Sequence, residues 1–256
     1  MNSPRIIPCL DLREGRVVTG VQFSSLRDAG DPVERAIFYA REGADELFLL
    51  DIAASPASRP LTFSLIRKIS TTAGIPLTVG GGIDRTDIID EMLQNGASKV
   101  SISSAALENP TLIEEGARLF GRRRIVVAID ARRLAPAQPG EKPRWEVYSR
   151  GGRHPTGCDA VEWAREAEQL GAGEILLTSM DADGTLQGYD LALLTAVTGA
   201  ISIPVIASGG AGKLEHLYEA LTKGGADAVL AASILHNNNF SIREIKEFLA
   251  AKGLPP

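Results

Sequence analysis

Short apolar, β-rich runs alternate with amphipathic stretches along the whole chain. The runs fall near residues 5–11, 45–51, 75–80, 98–103, 124–130, 174–179, 203–208 and 227–231. Each is followed by a 3.6-residue pattern, near 31–43, 60–73, 85–95, 110–119, 159–171, 189–198, 213–223 and 241–251. Regular strand–helix alternation implies parallel pairing through right-handed crossovers. Eight such units predict an α/β protein with one (β/α)8 barrel domain over residues 1–256, a fold that typically needs about 250 residues. Helix signals agree. Asp31-Pro32 and Asn109-Pro110 each set an N-cap before a proline in the first turn, and Gly43, Gly96, Gly171 and Gly224 suit left-handed helix ends. Pro8 fits poorly, because a barrel strand has no free edge for a residue without an N–H.

The chain also repeats itself. Ile75-Pro76-Leu77-Thr78-Val79-Gly80-Gly81-Gly82 matches Ile203-Pro204-Val205-Ile206-Ala207-Ser208-Gly209-Gly210 at an offset of 128 residues. Gly43-Ala44-Asp45-Glu46 matches Gly171-Ala172-Gly173-Glu174 at the same offset, and Gly96-Ala97-Ser98 matches Gly225-Ala226-Asp227 at 129. Matches at nearly one offset favour a duplication, with half-barrels of about 1–123 and 124–256, over chance sharing of βα words. Two connections are long. Residues 12–30 predict a lid or binding loop. Residues 131–158 carry a Trp145–Tyr148 stretch that suggests a small hairpin inside an otherwise irregular insertion.

Composition narrows the function. A net charge of −5 argues against a broad nucleic-acid surface. The run Arg122–Arg124 reads as a solvated turn or partner-facing edge before an anion site. The two cysteines, Cys9 and Cys158, form no CxxC pair, and His154, His216 and His236 are scattered, so neither a metal site nor a cofactor is expected. No apolar stretch approaches the ~18 residues of a membrane span, and no signal-peptide core is visible. A cytoplasmic protein with reduced thiols is expected.

In such barrels chemistry gathers at the C-terminal strand ends. Asp11 ends the first predicted strand and Asp130 the fifth, facing positions in an eight-strand ring. Paired carboxylates in unlike surroundings can divide general acid and general base roles, although either alone could cap a loop. Cys9 shares the inward face of its strand with Asp11 and reads as a small core residue, since no adjacent base is visible. Anion cradles are the second signal. Gly80-Gly81-Gly82 with Ser103 and Ser104 ends strands three and four; Ser208-Gly209-Gly210 with Ala232 and Ser233 ends strands seven and eight. Either Gly-Gly alone could be a tight turn; the pair suits a substrate phosphorylated at both ends. Asp183, Gly184 and Thr178, around the sixth strand end, could orient a sugar hydroxyl. At the opposite strand ends, Arg5, Glu46, Lys99 and Glu174 could form a charged ring, read on physics alone as a salt-bridge plug.

The stretches Ile6–Asp11, Leu26–Pro32, Val79–Gly82, Val126–Asp130, Gly173–Met180, Asp183–Thr185, Gly188–Asp190 and Ala207–Gly212 closely resemble the cyclase subunits of imidazole glycerol phosphate synthase, from histidine biosynthesis. A sister family, the phosphoribosyl-formimino isomerase, shares the barrel, the twin aspartates and the phosphate sites. Cys9-Leu10-Asp11, Leu26-Arg27-Asp28 and Gly188-Tyr189-Asp190 look like the cyclase. The resemblance implies that a glutaminase partner supplies ammonia through a gate of Arg5, Glu46, Lys99 and Glu174. The ammonia would attack a bisphosphorylated ribulosyl-formimino aminoimidazole carboxamide ribotide held by Gly82 and Ser104 at one phosphate and by Gly210 and Ser233 at the other. Asp11 and Asp130 would be the acid–base pair. Four positions depart from the family pattern: Thr19 for a lid lysine, Ser103 and Gln22 for asparagines, and Ser98 for an aspartate facing the glutaminase. They imply slow turnover or weak glutaminase activation. The competing readings are the isomerase and a non-catalytic sugar-phosphate-binding scaffold.

Overall fold

The computed structural model describes residues 3–21, 24–136, 140–237 and 239–254. Eight parallel strands form a closed (β/α)8 barrel: Arg5–Arg13, Leu47–Asp51, Leu77–Gly80, Lys99–Ile102, Ile125–Arg133, Glu174–Ser179, Val205–Ser208 and Ala228–Ala231. The helices that follow them are Pro32–Arg41, Arg59–Ala73, Thr86–Gln94, Thr111–Phe120, Ala160–Gln169, Leu191–Thr198, Leu214–Thr222 and Ile242–Ala251. The strands are near-continuous apolar runs because helices and barrel interior cover both faces. Ile125, Val126 and Val127 are fully buried, as are Leu47 and Leu49. Each such side chain contributes about 1.5–3 kcal/mol of burial.

Two compact units can be described, one from Met1–Ile102 with Ala228–Pro256 and one from Ser103–Asp227. Their limits differ from the half-barrels suggested by the repeat, which shows instead in matched local structure. Asp31 caps the helix Pro32–Arg41 by accepting from the N–H groups of Val33 and Glu34. Asp159 caps Ala160–Gln169 through Val161 and Glu162. The two caps share backbone angles, φ −75 and ψ 129 against φ −72 and ψ 132. The Leu77 N–H donates to Ser98 Oγ at 3.2 Å, and the Val205 N–H donates to Asp227 Oδ2 at 3.0 Å. Gly81 and Gly209, at φ +106 and +89, lie so close to the carbonyls of Asp51 and Ser179 that a Cβ would stand 2.2 and 2.6 Å from those oxygens. Only glycine permits that approach.

Several local expectations need correction. Gly43, Gly96 and Gly171 take left-handed angles just past their helices, but after Leu214–Thr222 that conformation belongs to Gly225, not Gly224. Asn109 does not cap its helix: its Oδ1 accepts the Thr111 hydroxyl, and the helix starts at Thr111 without a side-chain cap. Pro8 stays inside its strand, aligned with Ala231, the last residue of the eighth strand. Pairing with Leu47–Asp51 begins at Cys9, so the missing N–H falls where the ladders change over.

The two long connections are antiparallel ribbons more than loops. Arg5–Arg13 turns at Glu14 and Gly15, both with positive φ, and pairs with Arg16–Val21, which pairs with Ser24–Gly30. Positive φ at both central residues is the two-residue hairpin geometry that matches strand twist. Ile125–Arg133 pairs with Trp145–Ser149, which pairs with His154–Asp159. The expected hairpin is thus the middle of a three-stranded ribbon. Arg122–Arg124 is an exposed single 3-10 turn, with Arg122 donating to the Ala172 carbonyl.

Candidate active site

In the first unit, Asp11 sits where its strand leaves the barrel. It aligns with Leu50 on the parallel side and Val18 on the ribbon side. Leu50 aligns with Gly80, and Gly80 with Ser101, so these residues form one layer at the strand ends. Cys9, two residues back on the same face, is buried and donates its thiol to Asp11 Oδ1 at 3.1 Å. The thiol therefore does have a carboxylate beside it, contrary to the sequence-based expectation. Gly82 follows at φ +63, with its carbonyl receiving Arg59 Nη2 at 3.3 Å. Asp51 ends the next strand but is committed to structure: it accepts from the Thr62 hydroxyl at 2.8 Å and the Ala53 N–H at 3.1 Å. Ala232 and Ser233 lie at the start of the four-residue helix Ser233–His236.

In the second unit, Asp130 aligns with Thr178 and with Tyr148 of the ribbon, and Thr178 aligns with Ser208. Thr178 and Ser208 are the repeat partners of Leu50 and Gly80. Asp130 therefore holds the register in its layer that Asp11 holds in the other. No hydrogen bond reaches its carboxylate from the described residues. Burial, with the charge of Asp183 added, pushes it up to about 6. Asp183 is itself raised by burial, against the opposing N–H of Gly184. Buried carboxylates in each other's field titrate as a pair, and one holds its proton into the range useful for catalysis.

Gly209 and Gly210 complete this layer. A Cβ at Gly210 would stand 2.0 Å from the Gly188 carbonyl, and the Gly188 N–H donates to Gly210 O at 2.8 Å. Gly188, Tyr189 and Asp190 thus brace the turn: Tyr189 is buried, and Asp190 caps a helix through Leu193 while accepting Trp145 Nε1 at 3.0 Å. Ser103 precedes the short helix Ser104–Glu108, and Ser104 Oγ already accepts the Arg150 N–H at 2.7 Å. Ser103 (φ −130, ψ −98) and its repeat partner Ala232 (φ −120, ψ −76) have similar backbones, so each short helix opens in the same way.

The opposite strand ends carry the charged residues. Glu46 is buried, with Oε2 accepting from Arg5 Nη1 at 2.9 Å and Lys99 Nζ at 2.8 Å, and Oε1 accepting from the Thr78 hydroxyl. Glu174 is buried at the start of the sixth strand, in the other unit. The structure therefore brings three of the four gate candidates together within one unit, with Thr78 as an addition that sequence reasoning missed.

Of the departures from the family pattern, Thr19 aligns with the exposed Arg27 across its ribbon. Ser98 is engaged by the Leu77 backbone, the place that Asp227 takes in the repeat, so its hydroxyl does for one strand what a carboxylate does for the other. Gln22 lies outside the described residues. Sequence reasoning also missed the link between Asp183 and Asp130, which needs the loop after the sixth strand to fold back, and the environment of His236. Among the described residues no group of three or more His, Cys, Asp or Glu side chains is arranged to hold a metal, and no helix is long and apolar enough to cross a membrane.

A closed barrel with ionisable and glycine-lined strand ends has the build of an enzyme. Residues 5–241 match the model of the family described as histidine biosynthesis protein, and the chain belongs to that family. It is a histidine-biosynthesis enzyme.

Proposed function

We propose that the enzyme is the ammonia-using cyclase of histidine biosynthesis. It would convert the bisphosphorylated ribulosyl-formimino aminoimidazole carboxamide ribotide into imidazole glycerol phosphate and aminoimidazole carboxamide ribotide. Asp11 and Asp130 serve as the acid–base pair. Asp130, raised to about 6, is the proton donor of the two, and Asp11, already accepting a hydrogen bond, is the acceptor. Thr178, Asp183 and Gly184 orient the sugar portion. Gly82, Ser103 and Ser104 hold one phosphate; Ser208, Gly209, Gly210, Ala232 and Ser233 hold the other.

The observation that carries the cyclase over the isomerase is the Arg5–Glu46–Lys99 cluster. Arg5 opens the strand that leaves the barrel at Asp11, so the cluster lies at the opposite end of that strand from Asp11. An isomerase needs no charged entrance there, whereas a cyclase fed with ammonia by a glutaminase partner does; Glu174 completes the gate. The test is turnover of the bisphosphate with ammonium salts at alkaline pH, followed by ultraviolet absorbance. Loss of substrate that depends on ammonia supports the cyclase. Product without ammonia makes the enzyme the isomerase, and saturable binding without turnover makes it a scaffold.

A further inference from the structure

A buried hydrogen-bond chain lies behind Asp11. His236, at the end of the short helix Ser233–His236, is buried. Its Nε2 meets the Cys9 carbonyl at 2.9 Å and its Nδ1 meets the Tyr39 hydroxyl at 2.7 Å. A carbonyl can only accept, so Nε2 carries the proton and Nδ1 accepts from tyrosine; the ring is a neutral imidazole of one tautomer. Burial holds His236 down to about 4 and Tyr39 up to about 12, so neither ionises near neutrality. Arg35 adds its cation beside both rings while its Nε donates to the Ala29 carbonyl of the ribbon at 2.8 Å. From Cys9 the chain continues through its thiol to Asp11 Oδ1.

The place of the ring explains its use. The eighth strand aligns with the first only as far as Ala231 opposite Pro8, and Pro8 brings no N–H. The strand is therefore short of ladder bonds one residue before Cys9 and three before Asp11. A histidine anchored by tyrosine ties the Cys9 carbonyl next to this gap with a rigid planar donor, at the cost of burying an imidazole. A leucine would fill the space without that cost, so the polar ring has a reason beyond packing.

We propose that His236 is a positioning residue for Asp11: it fixes the Cys9 backbone, so that the Cys9 thiol holds the Asp11 carboxylate in one orientation. This rests on the reading of Asp11 as an acid–base group. Orientation errors at a reacting group cost rate more than binding. His236→Leu and Cys9→Ala therefore lower kcat about tenfold and leave KM within about twofold. His236→Gln, which keeps a donor for the carbonyl and an acceptor for the tyrosine, and Cys9→Ser, which keeps a donor for the carboxylate, recover most of that loss.

The decisive measurement is steady-state turnover of the bisphosphate with ammonium salts for these variants alone and in an Asp11→Asn background. The expected result is that His236→Leu adds no further loss once Asp11 is gone. An undiminished kcat in folded His236→Leu, or the same tenfold loss in both backgrounds, overturns the proposal. If His236→Leu does not fold, Cys9→Ala with Cys9→Ser decides by the same criteria. Full activity of Asp11→Asn itself would instead remove the acid–base reading, and the positioning role with it.

Discussion

Asp11 and Asp130 stand at matching registers, one aligned with Leu50 and the other with Thr178, yet their surroundings differ in kind. Asp11 accepts a thiol hydrogen bond backed by His236 and Tyr39. Asp130 has no donor among the described residues and lies in the field of a second carboxylate, Asp183. The internal sequence repeat offers two equivalent positions, and their neighbours make them unequal. Pairs of carboxylates whose environments differ are how a single site runs acid and base chemistry together.

The sharpest way to break this comparison is to neutralise each carboxylate in turn. Asp11→Asn and Asp130→Asn each lower kcat by about 10²–10⁴-fold, the usual worth of a general acid or base. Turnover near wild-type level in either variant would return that residue to a structural role. Glu46 offers a control away from the strand-end carboxylates. Glu46→Leu removes the buried carboxylate that Arg5, Lys99 and Thr78 share and costs about 3 kcal/mol, because the cluster loses its anion beside two half-buried cations. Urea unfolding measures this, and a loss under about 1 kcal/mol would mean that the cluster is solvated in solution.

Much of this was legible in the sequence. Period-two alternation put Cys9 and Asp11 on one face, and the 128-residue offset located Gly81 with Gly209 and Glu46 with Glu174. The hairpin around Trp145–Tyr148 was legible, but the ribbon after Asp11 was not, because the Glu14-Gly15 turn needs a non-glycine residue at φ +51, which no propensity favours. Nor was His236. A lone histidine after a strand gives no sign that its two ring nitrogens meet Tyr39, 197 residues away, and Cys9, 227 residues away. Long-range partners of polar side chains are set by the fold, not by local pattern.

Acidity sharpens the comparison further, since the units respond with opposite sign. Asp130 is raised from 3.8 to about 6 in the folded state. Between those values the folded protein holds a proton that the unfolded chain has lost, so stability falls as pH rises through about 4 to 6. His236 is lowered from 6.5 to about 4. Between those values the unfolded chain binds a proton that the folded protein refuses, so stability falls as pH drops through 6.5 to 4. In the wild type these slopes oppose. Asp130→Asn is more stable than wild type at pH 7, by about 1–3 kcal/mol, with no gain at pH 4. His236→Gln flattens the other limb. Melting temperatures from pH 4 to 7 separate them, and parallel curves for the two variants would show that the environments are alike after all.

The smallest effect tests the duplication where no chemistry intervenes. Asp31 and Asp159 cap equivalent helices through equivalent N–H pairs, with distances of 2.9 and 3.0 Å in one and 2.9 and 3.3 Å in the other. Removing an aspartate cap typically costs about 1 kcal/mol. Asp31→Ala and Asp159→Ala are expected to destabilise by equal amounts, within about 0.5 kcal/mol, and to add in the double variant because the caps share no partner. One difference bears on this: Asp159 lies 3.6 Å from Arg144 Nε, while the cap at Asp31 precedes a proline. The exposed ion pair adds at most a few tenths of a kcal/mol, too little to hide the equivalence. A cost at one cap more than twice that at the other would mean that the halves, alike in backbone, have diverged in how firmly each holds its helix.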